Sequence, residues 1–151
     1  MSQVKNTNLA QTIAKIYYAF VSEIDSINQG TTKKHKTVTF VSGAAWRSLY
    51  FSPGSANYSE PGKDTNAGKI YEQKLSAFYP GEDEGNVFNF TILENRPIVV
   101  KIVYSSGQVK IMGNKTNYAE LSDNLNINQK TGHSIIITRT DFDKAFWLEE
   151  S

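Results

Sequence analysis

Apolar and polar residues alternate along Lys69–Tyr79. Tyr71, Leu75, Ala77 and Tyr79 fall on one side with Gln73 among them, and Glu72, Lys74 and Ser76 fall on the other. A period of two marks a half-buried strand. Just before it, Glu60–Gly68 holds Pro61, Gly62, Asp64, Asn66 and Gly68, all turn formers. The stretch Gly54–Gly81 therefore predicts two extended arms joined by a polar tip at 60–68. At ~3.3 Å per residue the second arm alone would reach ~35 Å, longer than the usual strand. A hairpin of that length overhangs a small domain and needs a surface to lie against, for which a second subunit is the natural candidate.

The remaining pattern is mostly of the same kind. Residues 1–8 are polar and predicted flexible, leaving 9–151 as a single β-rich domain. Leu9–Ile27 fits two periods: Leu9, Ile13, Ile16, Phe20 and Ile24 make a helical stripe, while Ile16, Tyr18 and Phe20 alternate as in a strand. Periodicity alone leans towards the helix. Thr37–Val41 and Ala45–Phe51 are strand-like runs on either side of Ser42–Gly43, with Trp46, Leu49 and Phe51 apolar enough to join a core. Pro53–Gly54 turns the chain into the hairpin. The acids Glu82, Asp83 and Glu84 precede a compact apolar segment, Val87–Glu94, and acids in that position suit the start of a short helix. Pro97–Tyr104 is a strand, answered across Ser105-Ser106-Gly107 by Gln108–Met112. Tyr118–Leu121 predicts a short strand, Ser122–Gly132 an Asn-rich loop, and Ser134–Arg139 another strand. In the tail, Phe142, Phe146 and Trp147 are expected to dock. Together these predict a mainly β protein, a single-domain β-sandwich or barrel with one short flanking helix and a long protruding β-hairpin.

Composition narrows the function. Sixteen basic and fifteen acidic side chains in 151 residues leave a formal charge of +1. That balance gives no electrostatic footprint for nucleic acid or an anionic membrane. Without cysteine there is no disulfide framework, thiolate nucleophile or thiolate-bound metal. No apolar run approaches the ~18 residues needed to cross a bilayer. The first residues, MSQVKNTNLAQTIAK, lack the basic start and apolar block of a secretion signal. The expectation is a protein made and kept in a cytoplasm unless it leaves inside a larger particle.

Candidate chemistry is sparse. A nucleophilic triad needs a histidine. His35 lies in the basic run Lys33–Lys36, which reads as a solvated loop, and His133 lies beside a turn glycine. Both are expected to be ordinary surface histidines. Gly107–Thr116 has a faint likeness to a phosphate loop, but five residues separate its glycines, Asn114 precedes the lysine, and strand formers fill the middle. The carboxylate groups Glu82/Asp83/Glu84, Asp141/Asp143 and Glu149/Glu150 fall in turns or at the terminus, where water reaches them, whereas acid–base catalysis needs one of a pair desolvated. Asp141-Phe-Asp143 lacks the further oxygen ligands of a calcium loop. No catalytic, cofactor or metal residues are predicted. Tyr50, Tyr58, Tyr71, Phe78 and Tyr79 cluster on or beside the hairpin, where aromatics would line a sugar site or fill a subunit interface. The interface needs fewer assumptions.

The order of segments adds a family resemblance. It runs from IYYAFVSEIDSI through Trp46 and SLYFSPGSANYSE to GKIYEQKLSAFYP, then to the Pro97-led strand, SGQVKIMG and a final SIIITR with an aromatic tail. From Ile13 to about Trp147 this resembles structural proteins of the tail modules of tailed bacteriophages and prophages, and within them tail tube proteins. The resemblance implies a β-sandwich or barrel subunit, six of which close a ring. Rings stack into a hollow conduit for genome ejection, assembled in the host cytoplasm and carried in the virion tail. It implies no enzyme activity, cofactor or membrane. The implied partners are further copies of the chain, other tail proteins such as the tape measure and terminator, and DNA in transient non-specific contact. Ile13–Phe20 then becomes an edge strand, Val87–Glu94 the flanking helix, and Ser55–Tyr79 the arm reaching an adjacent ring. Tyr58, Glu60, Lys63, Asp64, Asn66, Lys69, Tyr71, Glu72 and Lys74 are the residues expected to carry that contact. Alternatives are another tail or neck ring component (a terminator or adaptor) and a β-sandwich glycan-binding module.

Overall fold

The architecture comes from a computed structural model, which describes residues 12–32, 34–80, 93–94, 96–126 and 132–148. The protein is mainly β. In chain order the strands are β1 (Ile13–Phe20), β2 (Ile24–Gln29), β3 (His35–Phe40), β4 (Arg47–Leu49), β5 (Asn57–Ser59), β6 (Gly62–Thr65), β7 (Gly68–Pro80), β8 (Ile98–Tyr104), β9 (Val109–Met112), β10 (Glu120–Asn126), β11 (Gly132–Asp141) and β12 (Phe146–Leu148). A seven-stranded sheet runs β2-β3-β12-β9-β8-β1-β4, and a five-stranded sheet runs β10-β11-β7-β5 with β6 also pairing β7. All pairs are antiparallel except β12 with β3.

The main core lies between the sheets. Ile16, Tyr18, Ile98, Val100 and Ile102 of the larger sheet meet Leu75, Ala77, Leu121, Ile135 and Ile137 of the smaller. A second cluster occupies the opposite face of the larger sheet, with Ala19, Ile24, Val99, Ile111 and Leu148 at its centre and Phe40, Trp46 and Phe146 around them. Connectivity explains it. Only the short 3-10 turn Val21–Glu23 separates β1 from β2, although they stand sixth and first in the sheet. The sheet must curl back on itself for so short a link to span it, and the second cluster fills the curl. Burial on both faces is also why β8 reads IVVKIVY, a nearly continuous apolar run.

The two-way reading of Leu9–Ile27 resolves to strand. Ile16, Tyr18 and Phe20 enter the main core while Ala19 enters the second. The turn at Val21–Glu23 then moves Ile24 into the second core, so the apparent helical stripe serves two separate clusters. Leu9 and residues 1–8 lie outside the described residues.

Other expectations are corrected. Ser122–Asn126 is strand rather than loop, paired with Ile136 to Gly132 of β11. Its Asn and Asp are poor strand formers, but the β11 ladder supplies the pairing that an isolated segment would lack. Phe142 is 58% exposed and does not dock, whereas Phe146 and Trp147 do so by adding β12 to the larger sheet. The expected helix over Val87–Glu94 lies outside the described residues apart from Leu93 and Glu94.

The hairpin is real but differently proportioned. β5 and β6 form its first arm, interrupted at Glu60–Pro61, and β7 is the second. The tip is the two-residue turn Asn66–Ala67, not the whole of 60–68. Gly68 closes it at φ 119°, and the Thr65 hydroxyl donates to the Gly68 carbonyl and accepts from the Ala67 N–H. Most of β7 is a central strand, because Tyr71–Pro80 pair with β11. The alternation of Gln73, Leu75 and Ala77 thus marks a core strand rather than a free arm. Only Gly68–Ile70 and their β6 partners extend past the end of β11, an overhang of ~10 Å at ~3.3 Å per residue.

Candidate functional site

Where the hairpin leaves the body, its first arm breaks at Glu60–Pro61. Proline removes one donor from the ladder, though its carbonyl still accepts from the Glu72 N–H at 3.0 Å, and side chains add to the hold there. Tyr58 lies opposite Leu75 and turns into the body. Its hydroxyl donates to Glu60 Oε1 at 2.8 Å, and the same oxygen accepts from the Ala145 N–H at 3.4 Å. Lys110 reaches over from β9 in the other sheet, placing Nζ 3.9 Å from Glu60 Oε1. The ammonium stands 4.8 Å from the Trp147 ring centroid, 4.9 Å from Tyr58 and 6.0 Å from Tyr104. Tyr104 and Trp147 meet edge to face at 6.3 Å. One lysine in an aromatic box thereby links the root of the hairpin to the opposite sheet.

The electrostatics follow from burial. Desolvation, with the Glu60 carboxylate beside it, pushes the Tyr58 phenol far above its usual range, so it remains a donor. Tyr104 is raised for the same reasons. Burial lowers Lys110; Glu60 opposes this and Lys144 adds to it.

A second polar group lies just below. Gln73 and Arg139, the buried polar residues of the described core, sit directly opposite each other on β7 and β11. Arg139 Nη1 donates to Gln73 Oε1 at 3.1 Å, Nε donates to the Asn117 carbonyl at 2.8 Å, and Nη2 pairs with Asp141 Oδ2. Gln73 Nε2 donates to the Asp143 carbonyl at 3.2 Å. Through Arg139 and Gln73 these bonds tie the hairpin root to Asn117, Asp141 and Asp143, and a buried guanidinium is tolerated only when so fully engaged.

The hairpin residues expected to meet a second subunit divide into two groups. Lys63, Asp64, Asn66 and Lys69 are exposed on the overhang, and Glu72 and Lys74 are exposed along β7. Tyr71 is half-buried with Lys144 Nζ 5.6 Å from its ring centroid, while Tyr58 and Glu60 are engaged inside their own subunit. Pattern alone did not reveal Lys110, Tyr104, Trp147 and Arg139. Gln73, the polar residue on an apolar face, was the one available signal.

Histidine expectations are also adjusted. His35 and Lys36 lie in β3 rather than in a loop, and His35 Nδ1 bonds the Thr32 hydroxyl. His133 is half-buried, edge to face with Tyr79 at 6.1 Å, and Tyr50 meets the same ring at 6.2 Å. Asp141 is not simply solvated: one oxygen holds Arg139 and the other caps the Phe142 N–H. Among the described residues no group of three or more His, Asp or Glu is placed to hold a metal ion. Glu82, Asp83, Glu84, Glu149 and Glu150 lie outside them. The chain matches no family model, no curated protein and no solved structure.

Proposed function

We propose that this chain is a self-assembling structural subunit of the tail tube kind, forming rings that stack into a conduit for genome ejection and using no chemistry of its own. The observation that carries the proposal is the overhang. Beyond Asp141 of β11, Gly68–Ile70 pair only with β6, and all four β6 residues are exposed. Among the described residues no strand covers the other side of that edge. Such edges are normally suppressed because they recruit further strands. Here the edge is held out from the body by the Tyr58–Glu60–Lys110 box and the Arg139–Gln73 network, so little ordering cost remains when it docks. The direct contact set is accordingly Lys63, Asp64, Asn66 and Lys69, with Glu72, Lys74 and Tyr71 at the margin and Tyr58 and Glu60 as supports.

Electron microscopy of the concentrated protein tests this. Wild type should form rings and tubes, whereas a terminator or adaptor would stop at one ring. Replacing Asp64–Lys69 by Asn-Gly closes the hairpin one turn earlier, across the existing Lys63–Ile70 pair. That variant should fold but not stack. A wild type that stays monomeric at high concentration, or a shortened variant that stacks equally well, refutes the proposal. The glycan-binding alternative draws on Tyr50, 61% exposed beside Tyr79. It requires Trp or Tyr fluorescence to respond to an oligosaccharide panel, and a flat response removes it.

A further inference from the structure

The basic residues 34–36 have no part in the hairpin, yet the fold gives them company. β3 pairs with β12, Trp147 opposite His35 and Leu148 opposite Lys36, and the Trp147 N–H donates to the Lys34 carbonyl at 2.9 Å. Lys36 Nζ lies 4.5 Å from the Phe146 ring centroid. Lys34, Lys110 and Lys144 line a cleft of ≈ 320 Å³ floored by Phe146 and Trp147, with Glu60 and Asp143 at its side. Three lysines, Lys34 just before β3, Lys110 of β9 and Lys144 of the 142–145 segment, therefore converge on one cleft against two carboxylates, while Lys36 turns with Val38 and Phe40 towards the second cluster. Lys34 and Lys144 are exposed. Within the cluster Lys144 adds to the lowering of the Lys110 pKa that burial begins. An incoming anion would oppose it.

The chain concentrates negative charge elsewhere, at Glu82, Asp83 and Glu84. These residues follow Pro80, the last residue of β7, whereas the cleft touches β7 at its other end, where Lys144 meets Tyr71. From Tyr71 to Pro80 the strand runs ~30 Å at ~3.3 Å per residue. With consecutive Cα atoms 3.8 Å apart, Glu84 stays within ~15 Å of Pro80. Connectivity thus ties the acidic run to the Pro80 end of β7, whereas the basic cleft touches β7 at its Tyr71 end.

We infer that the basic cleft formed by Lys34, Lys110 and Lys144 is a docking site for the acidic segment Glu82–Glu84 of a second copy of the chain, joining subunits head to tail. The inference rests on the tail tube reading and specifies the axial contact. A heterologous contact of this kind repeats without a two-fold axis, and opposite charges on the two ends set the polarity of stacking and disfavour end-to-end reversal.

A charge-swap series tests it, using the critical concentration for assembly measured by sedimentation and confirmed by microscopy. Lys34→Glu with Lys144→Glu should raise that concentration about tenfold or more, and Glu82→Lys with Asp83→Lys should do the same. The neutral pair Lys34→Gln with Lys144→Gln should give a smaller rise. Mixing the two charge-reversed proteins cannot restore every contact, but combining all four reversals in one chain should bring assembly back to within a few-fold of wild type. Circular dichroism confirms the fold of each variant. Raising salt from about 0.05 to about 0.5 M should weaken wild-type assembly. If wild type assembles but the reversals leave it unchanged, or if the fourfold variant fails to recover, the docking site is wrong while the conduit reading stands. If wild type never assembles, both are overturned.

Discussion

Replacing Arg139 by alanine should be among the most damaging single changes to this fold. The side chain is 3% exposed and gives hydrogen bonds to Gln73, to the Asn117 carbonyl and to Asp141. Its loss leaves the Gln73 and Asn117 oxygens without these donors and removes the guanidinium from beside the Asp141 carboxylate. Breaking a buried ion pair from one side costs ~3–5 kcal/mol. Asp141 is 21% exposed and still caps the Phe142 N–H, so water recovers part of its charge and the lower end, ~3 kcal/mol, applies. An unfolding entropy of ~2.1 cal/mol/K per residue amounts to ~0.3 kcal/mol/K over this chain, so the melting temperature should fall by ~10 °C. Urea unfolding followed by fluorescence of Trp46 and Trp147 gives the midpoint and slope. The slope should stay constant while the midpoint falls. Arg139→Met combined with Asp141→Asn, which removes both charges, should cost less than the sum of its single changes by ~1 kcal/mol or more. A loss below ~1 kcal/mol for Arg139→Ala would show that the network contributes no more than an exposed pair and would refute the argument.

Three further outcomes follow from the same structure. Lys110 is lowered from 10.5 in the folded state, so the unfolded chain binds more protons just below that pH and stability should rise as pH climbs towards 10.5. Tyr58 is raised above 10.0, with Tyr104 and Tyr18 shifted the same way, so their contribution is complete below pH 10.0 and lost above it. Urea midpoints across this range should show Lys110→Met flattening the rising limb and Tyr58→Phe softening the falling one. Glu23 is lowered from 4.5, chiefly by its hydrogen bond from Arg47, so its contribution is present above pH 4.5 and lost as pH falls through the lower folded value. Because Arg47 is 50% exposed, Glu23→Gln should cost no more than ~1 kcal/mol at neutral pH, and acid titration of both proteins should show the difference vanishing. Gly132→Ala should cost ~2 kcal/mol or more in the same assay, because a Cβ there meets the Tyr79 carbonyl and the Phe78 ring. Gly107→Ala, with open space around it, should cost ~1 kcal/mol for its positive φ alone.

Strand content was legible because β-branched and aromatic residues cluster between turn formers, as at Ile98–Tyr104 and Ser134–Arg139. What escaped was pairing. Ser122–Asn126 becomes a strand through β11, and no local signal in its Asn-rich sequence announces a partner that begins six residues later. The hairpin's length was visible in the alternation of Lys69–Tyr79, but alternation reports one buried face, not which strand lies alongside. β11 takes up ten of the thirteen residues of β7 and leaves three to project. The lysine box was hidden for a related reason. Tyr58, Tyr104, Lys110 and Trp147 are dispersed over ninety residues, and only the apposition of two sheets brings them together.

The position of the polar groups gives the strongest link between this fold and the proposed assembly. A two-sheet core of Leu, Ile and Val needs no arginine or glutamine for stability, and burying them carries a desolvation cost that apolar replacements avoid. Gln73 and Arg139 do not lie at random in that core. They occupy the rungs at which β7 is about to lose its β11 partner, and Glu60 marks the break where β5 gives way to β6. An apolar contact at those places would tolerate sliding, because hydrophobic burial is non-directional. Hydrogen bonds to the Asn117, Asp143 and Ala145 backbone fix direction as well as proximity. A short overhang whose angle is set from both arms is what a repeating contact needs, because a small angular error at each joint accumulates along a polymer. Replacing Gln73 and Arg139 together by Leu and Met should therefore separate the two properties. Stability by urea unfolding should change by less than in Arg139→Ala, while the tubes of the proposed assembly, seen by microscopy, should become shorter and more curved. Straight tubes of wild-type length from that variant would show that the polar root has no part in setting the joint.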